Sequence, residues 1–188
     1  MTNPTSLPFT GNDAADRLLA EDPLALLIGF ALDQQVTVQK AFSGPSDLKV
    51  RLGHLDAARI AAMPPEELAD VFRERPALHR FPGSMAGKVQ ALCAAIATDY
   101  GNDAAAVWRD AKDGPDLERR LLALPGIGDM KTKSIIAVLG NRFGVRPPGY
   151  DKVATTWPTL GDVDSPEALA TYQAGKRAKK AAMRAEVK

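Results

Sequence analysis

Gly126 and Gly128 flank Ile127 in the run LPGIG, and of all the residues in the chain these have the type and spacing most suited to chemistry. Glycine has no Cβ to hold the main chain away from a ligand, and it enters φ > 0 at little cost. The surrounding stretch LLALPGIGDMKTKSIIAVL, residues 121–139, reads as a helix, a hairpin and a second helix. The first N–H groups of that second helix lack intrahelical acceptors and sit at the positive end of its dipole, an arrangement that holds phosphate through backbone groups. Lys131 and Lys133 add positive charge nearby, and Ile127 is expected to anchor the hairpin in the core. The same five residues also fit a plain tight turn between helices.

The elements that would position this hairpin are helical throughout. PLALLIGFALDQQ, residues 23–35, opens with a proline suited to the first helical position and is apolar all round, so it is expected to be a buried central helix ending in Gln34 and Gln35. Apolar spacings of three and four residues, together with favourable first turns, predict further helices over residues 13–20, 65–75, 84–100, 103–112, 115–124 and 130–139. A helix is also expected near Asp151, then one over 165–172, and a frayed surface helix over 175–188. No sustained two-residue alternation rich in Val, Ile and Thr occurs, so the fold class is mostly α. Residues 1–11 read as a flexible lead, 12–160 as the main helical domain and 161–188 as a helical extension with a basic tail.

Composition limits the chemistry. Cys93 is the only cysteine, so an internal disulfide, a four-cysteine metal site and an iron–sulfur cluster are all outside its means, and His54 and His79 alone make a poor zinc set. No apolar run approaches the roughly 20 residues of a membrane span, and residues 1–10 lack a signal-peptide pattern, which leads to the expectation of a cytoplasmic protein, nucleoid-associated if bacterial. The formal charge of +1 hides an asymmetry: residues 129–188 hold 11 Lys or Arg against 6 Asp or Glu, and residues 1–128 hold 13 against 17. A polyanion would dock at the C-terminal end, although basic tails also serve simply as soluble ends.

LPGIG with its following helix, then the Pro/Gly connection and YDKV, resembles the helix-hairpin-helix and Gly/Pro/Asp signature of the endonuclease III-like base-excision DNA glycosylase superfamily. LIGFALDQQVTVQKA resembles an early family helix that ends in a glutamine-bearing motif, and PGSMAGKVQAL the lysine-containing start of a later one. The resemblance runs from about Leu18 to Val153 and leaves the last thirty or so residues outside. It implies two packed helical lobes with the DNA groove between them, and a monomer acting on double-stranded DNA that contains a lesion. It also implies Asp151 as the catalytic carboxylate, Gly126, Ile127 and Gly128 as the phosphate-binding hairpin, and Gln35 beside the gap left by a displaced base. The family hairpin often holds a monovalent cation on backbone carbonyls, and no other cofactor is expected.

Cleavage of an N-glycosidic bond builds positive charge on the sugar, which a carboxylate can stabilise while it orients water. The base must first leave the stack, and Gln35 or the loop from Phe81 to Met85 would fill the gap. Phe30, Trp108, Tyr150 and Trp157 are candidate stacking residues that fit a core equally well. Bifunctional relatives carry a lysine early in the second hairpin helix that attacks the sugar. Met130 stands there in this sequence, which implies a water nucleophile and no lyase step, unless a shifted register brings Lys131 or Lys133 into the site. Two other readings remain open: a non-catalytic DNA-binding module and a helical adaptor. Asp151 would then be a helix N-cap, and Gln35 a polar helix end.

Overall fold

The computed structural model describes residues 3–187, which form ten α-helices and two short 3-10 turns, with no strand among the described residues. Six helices come first: α1 (Asp13–Glu21), α2 (Pro23–Leu32), α3 (Val38–Leu52), α4 (Ala57–Ala62), α5 (Pro65–Arg73) and α6 (Pro82–Asp99). Then follow α7 (Ala106–Arg109), α8 (Gly114–Leu122), α9 (Asp129–Arg142), turns at Tyr150–Lys152 and Leu160–Asp162, and α10 (Pro166–Glu186). Helices α1–α6 pack chiefly on one another, as do α7–α10 with the two turns. No helix of the described residues is long and apolar enough to cross a membrane.

The centre is α2. Every residue from Leu24 to Leu32 is buried, which an amphipathic surface helix could not achieve. Asp22 caps it, its side chain accepting from the Leu24 and Ala25 amides, and Pro23 stands at the first position where no donor is needed. Phe30 and Phe9 each meet Phe42 of α3 edge-to-face, at ring separations of 5.0 and 5.2 Å.

The structure departs from the sequence reading in several places. The lead is held from Leu7 onward: Leu7 and Phe9 are fully buried, and the Thr10 amide and hydroxyl donate to Asp16 at 2.9 and 2.7 Å. Helix α3 was hidden in the sequence by Gly44-Pro45, yet the helix runs through Pro45 between a Thr37 N-cap and a left-handed Gly53 C-cap. Of residues 103–112 only Ala106–Arg109 is α-helical, preceded by tighter turns that the Asp103 carboxylate caps by accepting from the Ala105 amide and Arg109. Residues 166–186 are one helix through Gly175, and only a 3-10 turn forms around Asp151.

Beyond residue 160 the core continues, with Leu160, Val163 and Leu169 all buried. The turn at Leu160–Asp162 lies close on α9, because Gly161 presents no Cβ to the Ala137 backbone. The Cys93 thiol is buried in the same core, which pushes it up to about 12 and keeps it from thiolate chemistry.

A Cβ on Gly161 would lie 2.5 Å from the Ala137 carbonyl carbon, whereas one on Gly87 of α6 would meet nothing within 4 Å. Gly161→Ala is therefore expected to lower unfolding stability by about 1–3 kcal/mol. Gly87→Ala should raise it by about 0.5–1 kcal/mol through helix propensity. Urea denaturation of the two variants, side by side, checks both.

Candidate functional site

The hairpin forms as its residue types require. Gly126 is left-handed at φ +81°, Ile127 is buried at 4 % exposure, and Gly128 lies in open space at the start of α9. No side chain caps α9, so the amides of its first turn remain open. Asp129 in that turn offsets part of the positive end of the dipole.

Lys131 joins the hairpin to the end of α2. Its ammonium donates to the Ala31 and Gly126 carbonyls, both at 3.2 Å. The Gly126 carbonyl, which the resemblance would offer to a monovalent cation, thus already carries a positive partner. A Cβ on Gly126 would rest 3.5 Å from the Ala31 Cβ, so the backbone of the hairpin lies close on α2. Burial lowers the Lys131 pKa; Lys88 acts in the same sense and Asp33 against it.

Lys131 also lines a cleft of about 470 Å³ whose walls come from both groups of helices. Phe30 and Asp33 form one side, Met130, Lys131 and Ser134 of α9 a second, and the segment Trp157–Thr159 a third. Tyr172, Lys176, Lys179, Lys180 and Met183 of α10 close the fourth. Met130, Trp157 and Met183 are 64 %, 44 % and 60 % exposed, so three large apolar side chains meet solvent at one place. Convergence of that kind marks a binding surface more often than scattered exposure does.

Asp33 is the cleft's carboxylate, and sequence reasoning missed it. The Gln34 amide donates to the Leu32 carbonyl at 2.7 Å, and Asp33 has φ −72° and ψ 69°, the geometry of an inverse γ-turn that ends α2 three residues before the expected position. His79 steadies this turn: its Nε2 donates to the Leu32 carbonyl at 3.0 Å while its Nδ1 accepts from the Phe81 amide at 3.0 Å. Burial raises the Asp33 pKa above the ordinary carboxylate range, and Lys176 and Lys131 partly oppose the shift. No hydrogen bond reaches the Asp33 carboxylate among the described residues. One signal was present in the sequence: an acid at the end of an all-apolar helix, where the dipole disfavours negative charge.

The other expected residues divide. Gln35 is exposed with φ +56°, a left-handed conformation costly for a side-chain-bearing residue, while its neighbour Gln34 accepts from Lys88 at 2.7 Å. Phe81 is 40 % exposed ahead of α6, but Met85 is core. Lys133 is not brought to the cleft: it pairs with Glu118 of α8 and donates to the Val153 carbonyl at 3.2 Å. Phe30 and Trp157 line the cleft, whereas Tyr150 is packed inside with its hydroxyl on the Ile136 carbonyl at 3.2 Å, and Trp108 lines a separate groove.

Asp151 is exposed and lines a different cleft, with Asn141, Arg146, Tyr150 and Asp162 among its neighbours. Trp157, Pro158 and Thr159 line both clefts. Asp151 does not line the cleft that Met130 and Lys131 line. No group of three or more metal-ligating side chains occurs among the described residues. No family model, curated protein or solved structure matches the chain.

A raised Asp33 pKa means that its ionised form costs folding free energy, and that cost grows as pH rises from the unfolded value through the folded one. Asp33→Asn is accordingly expected to gain stability relative to the parent at pH 7 and little or nothing at pH 3.5. Thermal melts at the two pH values test this; an equal effect at both would remove the buried-carboxylate account.

Proposed function

We propose that this chain is a helix-hairpin-helix DNA glycosylase that hydrolyses the N-glycosidic bond of a damaged or mispaired base in double-stranded DNA and acts as a monomer. The observation that carries the reading is the half-buried Asp33 carboxyl in an aromatic and lysine-lined cleft that opens beside the glycine hairpin. Backbone amides at the start of α9 suit a DNA phosphate. The cleft beside them, at about 470 Å³, has room for an extruded base with its sugar. Trp157 and Tyr172 offer aromatic faces there, whereas Phe30 is buried in the core.

Asp33 takes the catalytic part that the resemblance gave to Asp151. Burial raises its pKa against the opposing pull of Lys176 and Lys131, and in the proposed reaction its protonated form donates to the departing base as the C1′–N bond breaks and its electron pair leaves with the base. The carboxylate formed then faces the positively charged sugar, and Lys131 and Lys176 limit the cost of its charge in a half-dry site. Water adds to C1′ and returns a proton to Asp33, leaving an abasic site. Met130 has no amine with which to form an imine, and the Lys131 ammonium is engaged by two carbonyls. Water as the nucleophile fits both facts.

A non-catalytic damage-binding module is the second reading, favoured by the position of Asp151 outside the hairpin cleft. Duplexes that each carry one uracil, alkylated purine, oxidised guanine or mismatch, incubated with the protein and then treated with alkali, separate the two. The expected result is cleavage of at least one substrate, reduced by about 10²–10⁴-fold in Asp33→Asn and within a few-fold of normal in Asp151→Asn. Borohydride should trap no covalent adduct. Loss of activity in Asp151→Asn alone would return catalysis to the residue named by the resemblance. Salt-sensitive DNA binding without base release from any duplex would leave the module.

A further inference from the structure

Helix α10 lies outside the region of family resemblance, yet five of its residues line the cleft. Tyr172, Lys176, Lys179, Lys180 and Met183 fall on one face at spacings of three and four, and Lys176 packs its ammonium 5.3 Å from the Tyr172 ring centre. No acidic residue interrupts the helix between Glu167 and Glu186. Its attachment is confined to the first half: Ser165 caps it, Leu169 is its buried residue, and Gln173 exchanges amide hydrogen bonds with Gln39 at 3.1 and 2.7 Å. Every described residue after Gln173 is exposed.

Such a face is poorly explained as a solvated tail. Arg177 and Arg184 are as basic, but they lie about 60° and 40° round the helix beyond Lys180 and do not line the cleft. The lysines line the same cleft as Met130 and Lys131, with Asp33 as the single opposing charge. The cleft therefore draws cations from both α9 and α10, with apolar side chains among them, the chemistry that suits a sugar–phosphate chain and its bases.

We propose that α10 is the second phosphate-binding wall of this protein: its Lys176–Lys180 face holds the backbone of the DNA strand whose nucleotide occupies the cleft, opposite the hairpin. This rests on the reading of the protein as a DNA-binding one. It adds an element that the hairpin resemblance does not include, and it separates the work of two sets of charges on the same helix.

The test compares two variants of equal charge change, K176Q/K180Q and R177Q/R184Q, by fluorescence anisotropy of a labelled undamaged duplex titrated with potassium chloride. All four side chains are exposed, and melting curves are to check that both variants keep their fold. Each lost phosphate contact lowers the slope of log affinity against log salt by about 0.9. K176Q/K180Q is expected to lower the slope by about two, and R177Q/R184Q to leave it near the parent value. Equal losses in both variants would reduce α10 to a source of net charge and overturn the proposal. An unchanged slope in K176Q/K180Q, with the parent still binding, would overturn it while sparing the proposed function. Absence of DNA binding by the parent protein would overturn both.

Discussion

The junction between the last turn of α2 and the glycine hairpin depends on one ammonium group. Lys131 reaches back from the first turn of α9 to the Gly126 carbonyl and across to the Ala31 carbonyl, tying an element of each helical group to a single cation. Both carbonyls need a donor: Ala31 is near a helix C-terminus, where the last acceptors are left over, and Gly126 is in a tight turn. Because charge-assisted bonds of this kind are stronger than neutral ones, they fix the distance between α2 and α9 at the place where the cleft begins. Glycine suits this position through its left-handed backbone, which a larger residue would strain, while a Cβ there would make only an ordinary contact with Ala31.

Several features of the cleft follow from that junction. Asp33 is two residues beyond Ala31 and is oriented by the γ-turn, so fixing Ala31 also fixes where the carboxyl enters. His79 holds the same turn from the other side, through Leu32, and connects it to Phe81 at the head of α6. Lys88 of the same helix reaches Gln34. The turn of residues 32–35 is thus held by α6 and α9 together, and the left-handed Gln35 persists because its neighbours are fixed. Burial and charge then act on Asp33 in opposite senses, burial raising its pKa and Lys176 and Lys131 lowering it.

Much of this was legible in the sequence where one local rule dominated. The all-apolar run after Pro23 required a buried helix, and LPGIG required a hairpin with Ile127 inward; the structure has both. Legibility failed where tertiary packing overrode local signals. Gly44-Pro45 looks like a break, but Gly44 is needed so that Leu32 can pack against α3, and the packed helix tolerates the proline. Tyr172, Lys176, Lys179, Lys180 and Met183 form a stripe with helical spacing that is too polar to register as an apolar face, and Gly175 divides it.

The carboxylate shows the same limit at the level of the site. Motif order placed Asp151 after the hairpin, at a spacing slightly longer than the family's, and sequence separation does not determine which side of a loop a residue ends on. Asp151 and Lys131 line separate clefts that share Trp157, Pro158 and Thr159. Asp33, nearly a hundred residues before Lys131, shares its cleft because the last turn of α2 is clamped against the hairpin. A binding site built at a junction between two helical groups draws on whichever side chains that junction exposes, and a carboxylate at the end of a wholly buried helix has few other places to be.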